Sequence, residues 1–242
     1  MKPSPRGMAA ALLAVLVASV CVRLGFWQLD RLEQRRERNA AIRAAGRLPT
    51  LLLDSASVRL VADSPAAYLD RRVRVRGVYD PSREVVLRGR AREGRPGVHL
   101  VTPLRIAGSD DEVLVNRGWV PSPDGATVDR APYAEPGPQE VVGLLQEVPA
   151  TGDRGQPAAP RGGGDTTFRR LDLATVRERS AGPVLPVYVQ QLPDPARSRP
   201  PFRVPAPVLS EGSHLSYAVQ WFSFAAIALL GLVVVALRGR KR

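Results

Sequence analysis

With 242 residues, the chain has room for one domain of ordinary size plus membrane segments. Its net charge of +12 invites a nucleic-acid reading, but of 35 basic residues only Lys2 and Lys241 are lysines, the arginines are scattered, and the aromatic residues stand mostly apart from them, so no base-stacking platform forms. A single cysteine, Cys21, excludes an intramolecular disulfide and a cysteine-rich metal cluster, and with His99 and His214 as the only imidazoles a protein-only zinc site would need several carboxylates.

Lys2 and Arg6 precede an apolar run over 8–22 that could be a signal peptide or an anchor. The run continues through Leu24, Gly25, Phe26 and Trp27, broken only by Arg23, and a lipoprotein-type cut before Cys21 would put branched Val20 where a small residue is expected. An uncleaved first transmembrane helix over 8–27 is therefore expected, with Arg23 reaching to the interface. Residues 30–47 continue it as a polar, solvated helix, in which Glu33 attracts Arg36 while Glu33 and Glu37, and Arg31 and Arg35, repel. Ser64 as N-cap with Pro65 at the first helical position predicts a short helix through Leu69.

From Arg72 the period changes to two: arginines alternate with Val73, Val75 and Tyr79, which predicts a half-buried strand. Asp80-Pro81 reads as a turn, with 84–88 as the hairpin partner of that strand. Further strands are expected over 98–106, 112–120, 140–146 and 187–192, and a short helix over 173–180 with Asp172 as a cap. The stretch 148–167 is a loop rich in Pro and Gly, and its Gly162-Gly-Gly164 lacks the Lys-Ser/Thr of a phosphate loop. Short strands with few helices between them predict an antiparallel sheet that can curl into a barrel.

Catalytic chemistry is hard to find. No Gly-x-Ser-x-Gly elbow, no His-Glu-x-x-His and no usable cysteine nucleophile occur, so the chain is not expected to be an enzyme. Asp110-Asp111-Glu112 follows Gly108-Ser109 and reads as a solvated hairpin turn. His99 lies in a strand pattern and reads as structural. In Asn116-Arg-Gly-Trp119 the glycine permits close backbone approach, and the whole reads as a strand end packed by tryptophan.

The last element is the most telling. Residues 215–237 carry no charge, and at about 1.5 Å rise they span roughly 35 Å, enough to cross a hydrocarbon core of about 30 Å. A basic tail follows over 238–242, which with the basic N-terminus favours both termini in the cytoplasm, although Arg31, Arg35, Arg36 and Arg38 pull the other way. At helical spacing His214, Tyr217 and Trp221 share one face. That face reads first as an interfacial aromatic belt, with a ligand surface whose imidazole binds a metal or a haem iron as the second reading.

Taken together, Gly25-Phe-Trp-Gln-Leu-Asp-Arg31, Gly97-Val-His-Leu-Val-Thr-Pro-Leu104, Val115-Asn-Arg-Gly-Trp-Val-Pro121 and His214-Leu-Ser-Tyr-Ala-Val-Gln-Trp-Phe222 resemble, in order, the surfeit locus protein 1 family. The resemblance covers nearly the whole chain. It implies a membrane α+β protein: transmembrane helices at 8–27 and 214–237 flank an extracytoplasmic domain, 28–213, with an antiparallel, barrel-like sheet and short helices. It further implies a factor in the assembly of haem-copper cytochrome c oxidase at the cell membrane. Such a factor would bind haem a transiently, with His214 as the iron ligand and Tyr217 and Trp221 beside the macrocycle. Its partners would be the oxidase catalytic subunit, haem a synthase and the lipid bilayer. Two alternatives stand beside this: a haem-free scaffold gripping the catalytic subunit through Trp119, Arg117 and the membrane helices, and an unrelated extracytoplasmic enzyme or sensor.

Overall fold

The computed structural model describes residues 5–149, 156–157, 166–171, 173–179 and 182–239. They form two compact units: a sheet unit, Ile42–Pro207, and a helical unit made of the residues up to Ala41 and from Val208 onward.

The sheet unit contains β1 (Leu51–Leu53), β2 (Arg72–Tyr79), β3 (Val85–Arg92), β4 (Arg95–Ile106), β5 (Glu112–Pro121), β6 (Pro138–Glu147), β7 (Gln156–Pro157), β8 (Thr166–Phe168) and β9 (Val184–Gln191), with the short helices α2 (Ser57–Asp63) and α3 (Leu173–Arg179). Five strands close on themselves in the order β2-β6-β9-β5-β4, and Gly77, Val78 and Tyr79 of β2 complete the ring opposite Ile106, Arg105 and Leu104 of β4. The inward positions of β2, the alternate valines of the sequence pattern, meet Leu104, Ile106, Val113, Val115, Val141, Leu145, Val187 and Val189 in the barrel interior. Val58 and Val61 of α2 and Leu53 of β1 join this cluster. Each of these fully buried aliphatic side chains contributes about 1.5–3 kcal/mol relative to exposure.

The expected barrel is present, and among the described residues most pairings of the whole sheet are antiparallel. Three are parallel, β1 with β2, β5 with β9 and β3 with β8. The expected β2–β3 hairpin is not formed. Pro81–Arg83 makes one 3-10 turn, and β3 goes to the edge of β4, where Val85, Val86 and Leu87 face Val101, Leu100 and His99. The reason lies in β4, a twelve-residue strand that serves two neighbours along one edge: its first half pairs with β3 and its last three residues with β2. Val85, Val86 and Leu87 are buried in succession because both faces there are covered. Val85 and Leu87 lie under Phe168, Leu171 and Val176, and Val86 lies under Val128 and Tyr133.

Ser64-Pro65 does start a helical turn, but it is a 3-10 turn over Pro65–Tyr68 and the Ser64 side chain makes no capping bond. The expected loop over 148–167 contains the short strand β7 and the start of β8, which pair with each other, while Gly162–Gly164 and the Asp172 cap lie outside the described residues.

In the helical unit, α1 (Pro5–Arg47) is one unbroken helix of 43 residues, and α4 (His214–Gly239) is 26 residues long. Both are long and apolar enough to cross a membrane. Less exposed positions on α1 include Ala18, Cys21, Gly25, Gln28 and Leu32, and on α4 they include His214, Ala218, Trp221, Ala225, Ala228 and Leu232. Steps of three and four make these a seven-residue repeat, the signature of two helices packed along a seam. Ala18, Cys21 and Ala225 are buried together, with Trp221 and Ala228 against them. Small residues at a seam let helix backbones approach in an apolar medium. Gly25 shows it directly: a Cβ there would stand 2.6 Å from Cε1 of Phe222. The ring of Phe222 also meets Phe26 edge-on, with centroids 5.4 Å apart. Outward positions such as Leu12, Leu16, Ile227 and Leu230 are exposed hydrophobics.

Candidate functional site

The head of α4 is built by α1. Arg36 forms a two-pronged ion pair with Glu211, both contacts at 3.0 Å. Arg35 Nε and Asn39 Nδ2 each donate to the Ser210 carbonyl at 3.0 Å. These bonds hold the segment entering α4 against the polar half of α1. The helix then starts at His214, with the Tyr217 amide donating to the Ser213 carbonyl at 3.1 Å.

His214 is half-buried, and its Nδ1 lies 2.8 Å from Oε1 of Gln28. Gln28 is 186 positions away in sequence, so this bond joins the first and last stretches quoted above for the family resemblance. Next to Gln28, the Arg31 guanidinium lies over the Trp27 ring at 5.6 Å. Trp221, seven residues on from His214, packs towards α1 and meets Phe224 edge-on at 5.9 Å. Tyr217 lies on the outer flank, 48% exposed. His214 and Trp221 thus line the seam side, with Tyr217 turned away from it. Among the described residues no group of three or more His, Cys, Asp or Glu side chains is gathered as for a metal ion. What the head of α4 offers is a single imidazole held by one nitrogen.

Sequence reasoning gave Gln28 no chemical role. The available signal was an amide directly after the aromatic end of an apolar run, where an uncompensated polar group is costly and a partner is required.

The Asn116–Trp119 motif has a different role. Arg117 is only 2% exposed. Its guanidinium donates to Glu84 at 2.6 Å, to Thr102 at 3.3 Å and to the Tyr133 carbonyl, and it lies over the Tyr79 ring at 5.2 Å. Arg203 donates to the Arg117 carbonyl at 2.6 Å and to both oxygens of Glu135, at 2.7 and 3.0 Å. Burial pushes the Glu135 carboxyl up, but Arg203, Arg117 and Arg197 outweigh it and hold the group below its usual value. Trp119 is 5% exposed and stacks on Phe202 with centroids 6.1 Å apart. Gly118, at φ +109°, lets the Phe202 backbone press so close that a Cβ would overlap its carbonyl. The strand-end reading therefore holds. The external grip that the scaffold reading assigned to Arg117 and Trp119 does not, because both are buried in the sheet unit.

Two other expectations resolve differently. His99 is structural as expected: its Nδ1 faces Asn116 Nδ2 at 3.3 Å, and burial, with Arg90 nearby, lowers its pKa to about 4. The solvated carboxylate turn is only partly solvated. Ser109 and Asp111 close it, but Glu112 is 2% exposed and pairs with Arg83, with one contact at 2.7 Å.

The SURF1 family model matches residues 15–226. A SURF1-like protein of Monosiga brevicollis is 30% identical over 249 residues, covering 98% of this chain and 90% of its own length. An uncharacterized SURF1-like protein of Mycobacterium tuberculosis is 28% identical over 250 residues, covering 98% and 87%. Surfeit locus protein 1 of Takifugu rubripes is 29% identical over 150 residues, covering 54% of this chain and 59% of its own. A match across nearly all of both chains, embracing α1, the sheet unit and the head of α4, means that this chain belongs to the SURF1 family.

Proposed function

We propose that this protein is a membrane assembly factor for haem-copper cytochrome c oxidase that carries haem a transiently at the head of α4 and passes it to the catalytic subunit. Family membership implies the oxidase assembly role. The haem reading is carried by one observation: a half-buried imidazole, His214, at the border between an uncharged span and a polar segment, on the same helix end as Tyr217 and Trp221. The iron of a bound haem would supply the coordination centre. His214 would hold it through a single nitrogen, with Trp221 on the same side of the helix and Tyr217, on the outer flank, beyond that contact. One axial ligand on a two-helix surface gives reversible binding, which suits a handover factor rather than an enzyme.

In this reading both ends of the chain lie in the cytoplasm, the sheet unit lies outside it, haem a synthase is the donor and the oxidase catalytic subunit the acceptor. The test is the absorption spectrum of the protein purified from cells that make haem a. Native protein should show a Soret band that His214→Ala removes. An absent band, or one unchanged by the substitution, overturns the haem reading. The haem-free scaffold would then remain, and its contact surface would have to lie on the exposed faces of α1 and α4, since Arg117 and Trp119 are internal.

A further inference from the structure

We propose that Gln28 is the positioning residue of the His214 site: its side-chain carbonyl accepts the Nδ1 proton and so fixes the imidazole tautomer that presents Nε2 as the lone-pair nitrogen. The role towards haem rests on the function proposed above, whereas the tautomer does not.

The bond is the starting point. Nδ1 of His214 stands 2.8 Å from Oε1 of Gln28. A neutral imidazole has one N–H and one lone pair, so a carbonyl at Nδ1 requires the proton there and leaves the lone pair on Nε2. Ligand histidines are oriented in this way, by a carbonyl or carboxylate on the nitrogen that does not touch the metal. The edge of the ring bearing Nε2 runs beside Gly212, where even an added Cβ would stand 3.7 Å from Nε2 and 3.5 Å from Cδ2. Gly212 has φ +71°, a conformation that disfavours side chains, so this edge is bordered by bare backbone.

Gln28 is also held in place. The seam fixes α1 against α4 at Gly25 and Phe222 on one side of it, and the Arg36–Glu211 pair fixes them on the other. An amide suits this depth better than a carboxylate, because it accepts the same proton without placing a charge beside an uncharged span.

The chain has two histidines, and the second supplies an internal reference. His99 faces the Asn116 amide nitrogen, a donor, through its Nδ1, and should therefore carry its proton on Nε2. Haem-free protein in detergent, labelled with 15N at the histidine rings, will give two sets of signals, assigned by loss of one set in His214→Ala. Long-range proton–nitrogen correlations report which nitrogen is protonated. The expected result is Nδ1–H for His214 and Nε2–H for His99. Gln28→Ala should move His214 alone to the Nε2–H form that free histidine favours, and Gln28→Glu should restore Nδ1–H. The unchanged His99 signal shows that the sheet unit is folded, and recovery in Gln28→Glu shows that α1 and α4 still pack. An Nε2–H tautomer of His214 in native protein, or one indifferent to Gln28→Ala, overturns the proposal.

Haem titration separates this proposal from the functional one. Gln28→Ala should weaken binding by about 10–100-fold, the usual cost of losing such a partner, and Gln28→Glu should recover it. If His214→Ala abolishes the Soret band while Gln28→Ala binds as native protein does, the positioning role is wrong and the haem reading stands. If no preparation binds haem but Gln28→Ala still switches the tautomer, the haem reading is wrong and the Gln28 assignment stands.

Discussion

Arg117 shows how a single residue can look like a binding group and act as a keystone. Its side chain and that of Glu84 are 3% and 2% exposed, and they meet at 2.6 Å. Deleting one member of such a pair strands the other charge, which costs about 3–5 kcal/mol, whereas replacing both is far milder. Arg117→Ala should therefore lower the melting temperature of the sheet unit sharply, and Arg117→Met combined with Glu84→Gln should recover much of the loss. Equal melting of the two variants would show that the charges do not depend on each other. His99 carries a pH effect with a defined sign. Its folded-state pKa is depressed from 6.5 to about 4 by burial, so between these values the unfolded chain binds the proton and the folded chain does not. Stability is thus complete above pH 6.5 and declines as pH falls towards 4, by at most about 3 kcal/mol from this group. His99→Gln should flatten the dependence of melting temperature on pH in that window. At this scale the sequence was legible where chemistry is local: Gly118 and Trp119 announce a close-packed strand end. It placed Gln28 in a family stretch but could not name its partner, which lies 186 positions away.

At the scale of elements, periodicity locates strands but does not name their partners. Arg72–Tyr79 was recognisable because one face is buried and the other is wet. Pairing it with the next strand failed because β4 is long enough to serve both β2 and β3. The three-residue strands β1 and β8 have too few residues to show any period. On the helices, an apolar stretch reads as a span without revealing which side meets its neighbour, and the seam appears only once Gly25 and Phe222 are seen together. That seam is testable. Cys21 is the chain's only cysteine and packs with Ala225, so Ala225→Cys should allow an oxidative crosslink between α1 and α4. Gly25→Leu forces a side chain into the Phe222 ring and should reduce crosslinking severalfold. Adding Phe222→Ala should restore it. Undiminished crosslinking in Gly25→Leu would mean that the helices are not held together at this point.

At the scale of the whole molecule, the orientation of the chain decides on which side of the membrane a cargo at His214 could be received. The charge argument is contested on its face, because Arg31, Arg35 and Arg36 stand just beyond the first span while Arg238 ends the second. Arg31 bonds Gln34 and covers the Trp27 ring, Arg35 is spent on a backbone carbonyl, and Arg36 is neutralised by Glu211 at 3.0 Å. Such contacts leave the arginines charged, but long connecting domains translocate largely regardless of charge. The function proposed above places both ends of the chain inside. A fluorescent protein fused after Arg242 should fold and fluoresce there, alkaline phosphatase at the same position should be inactive, and protease added to spheroplasts should cut within the sheet unit. An active phosphatase fusion would invert the orientation. His214 would then lie at the cytoplasmic face, and any handover of haem from it would have to occur on that side.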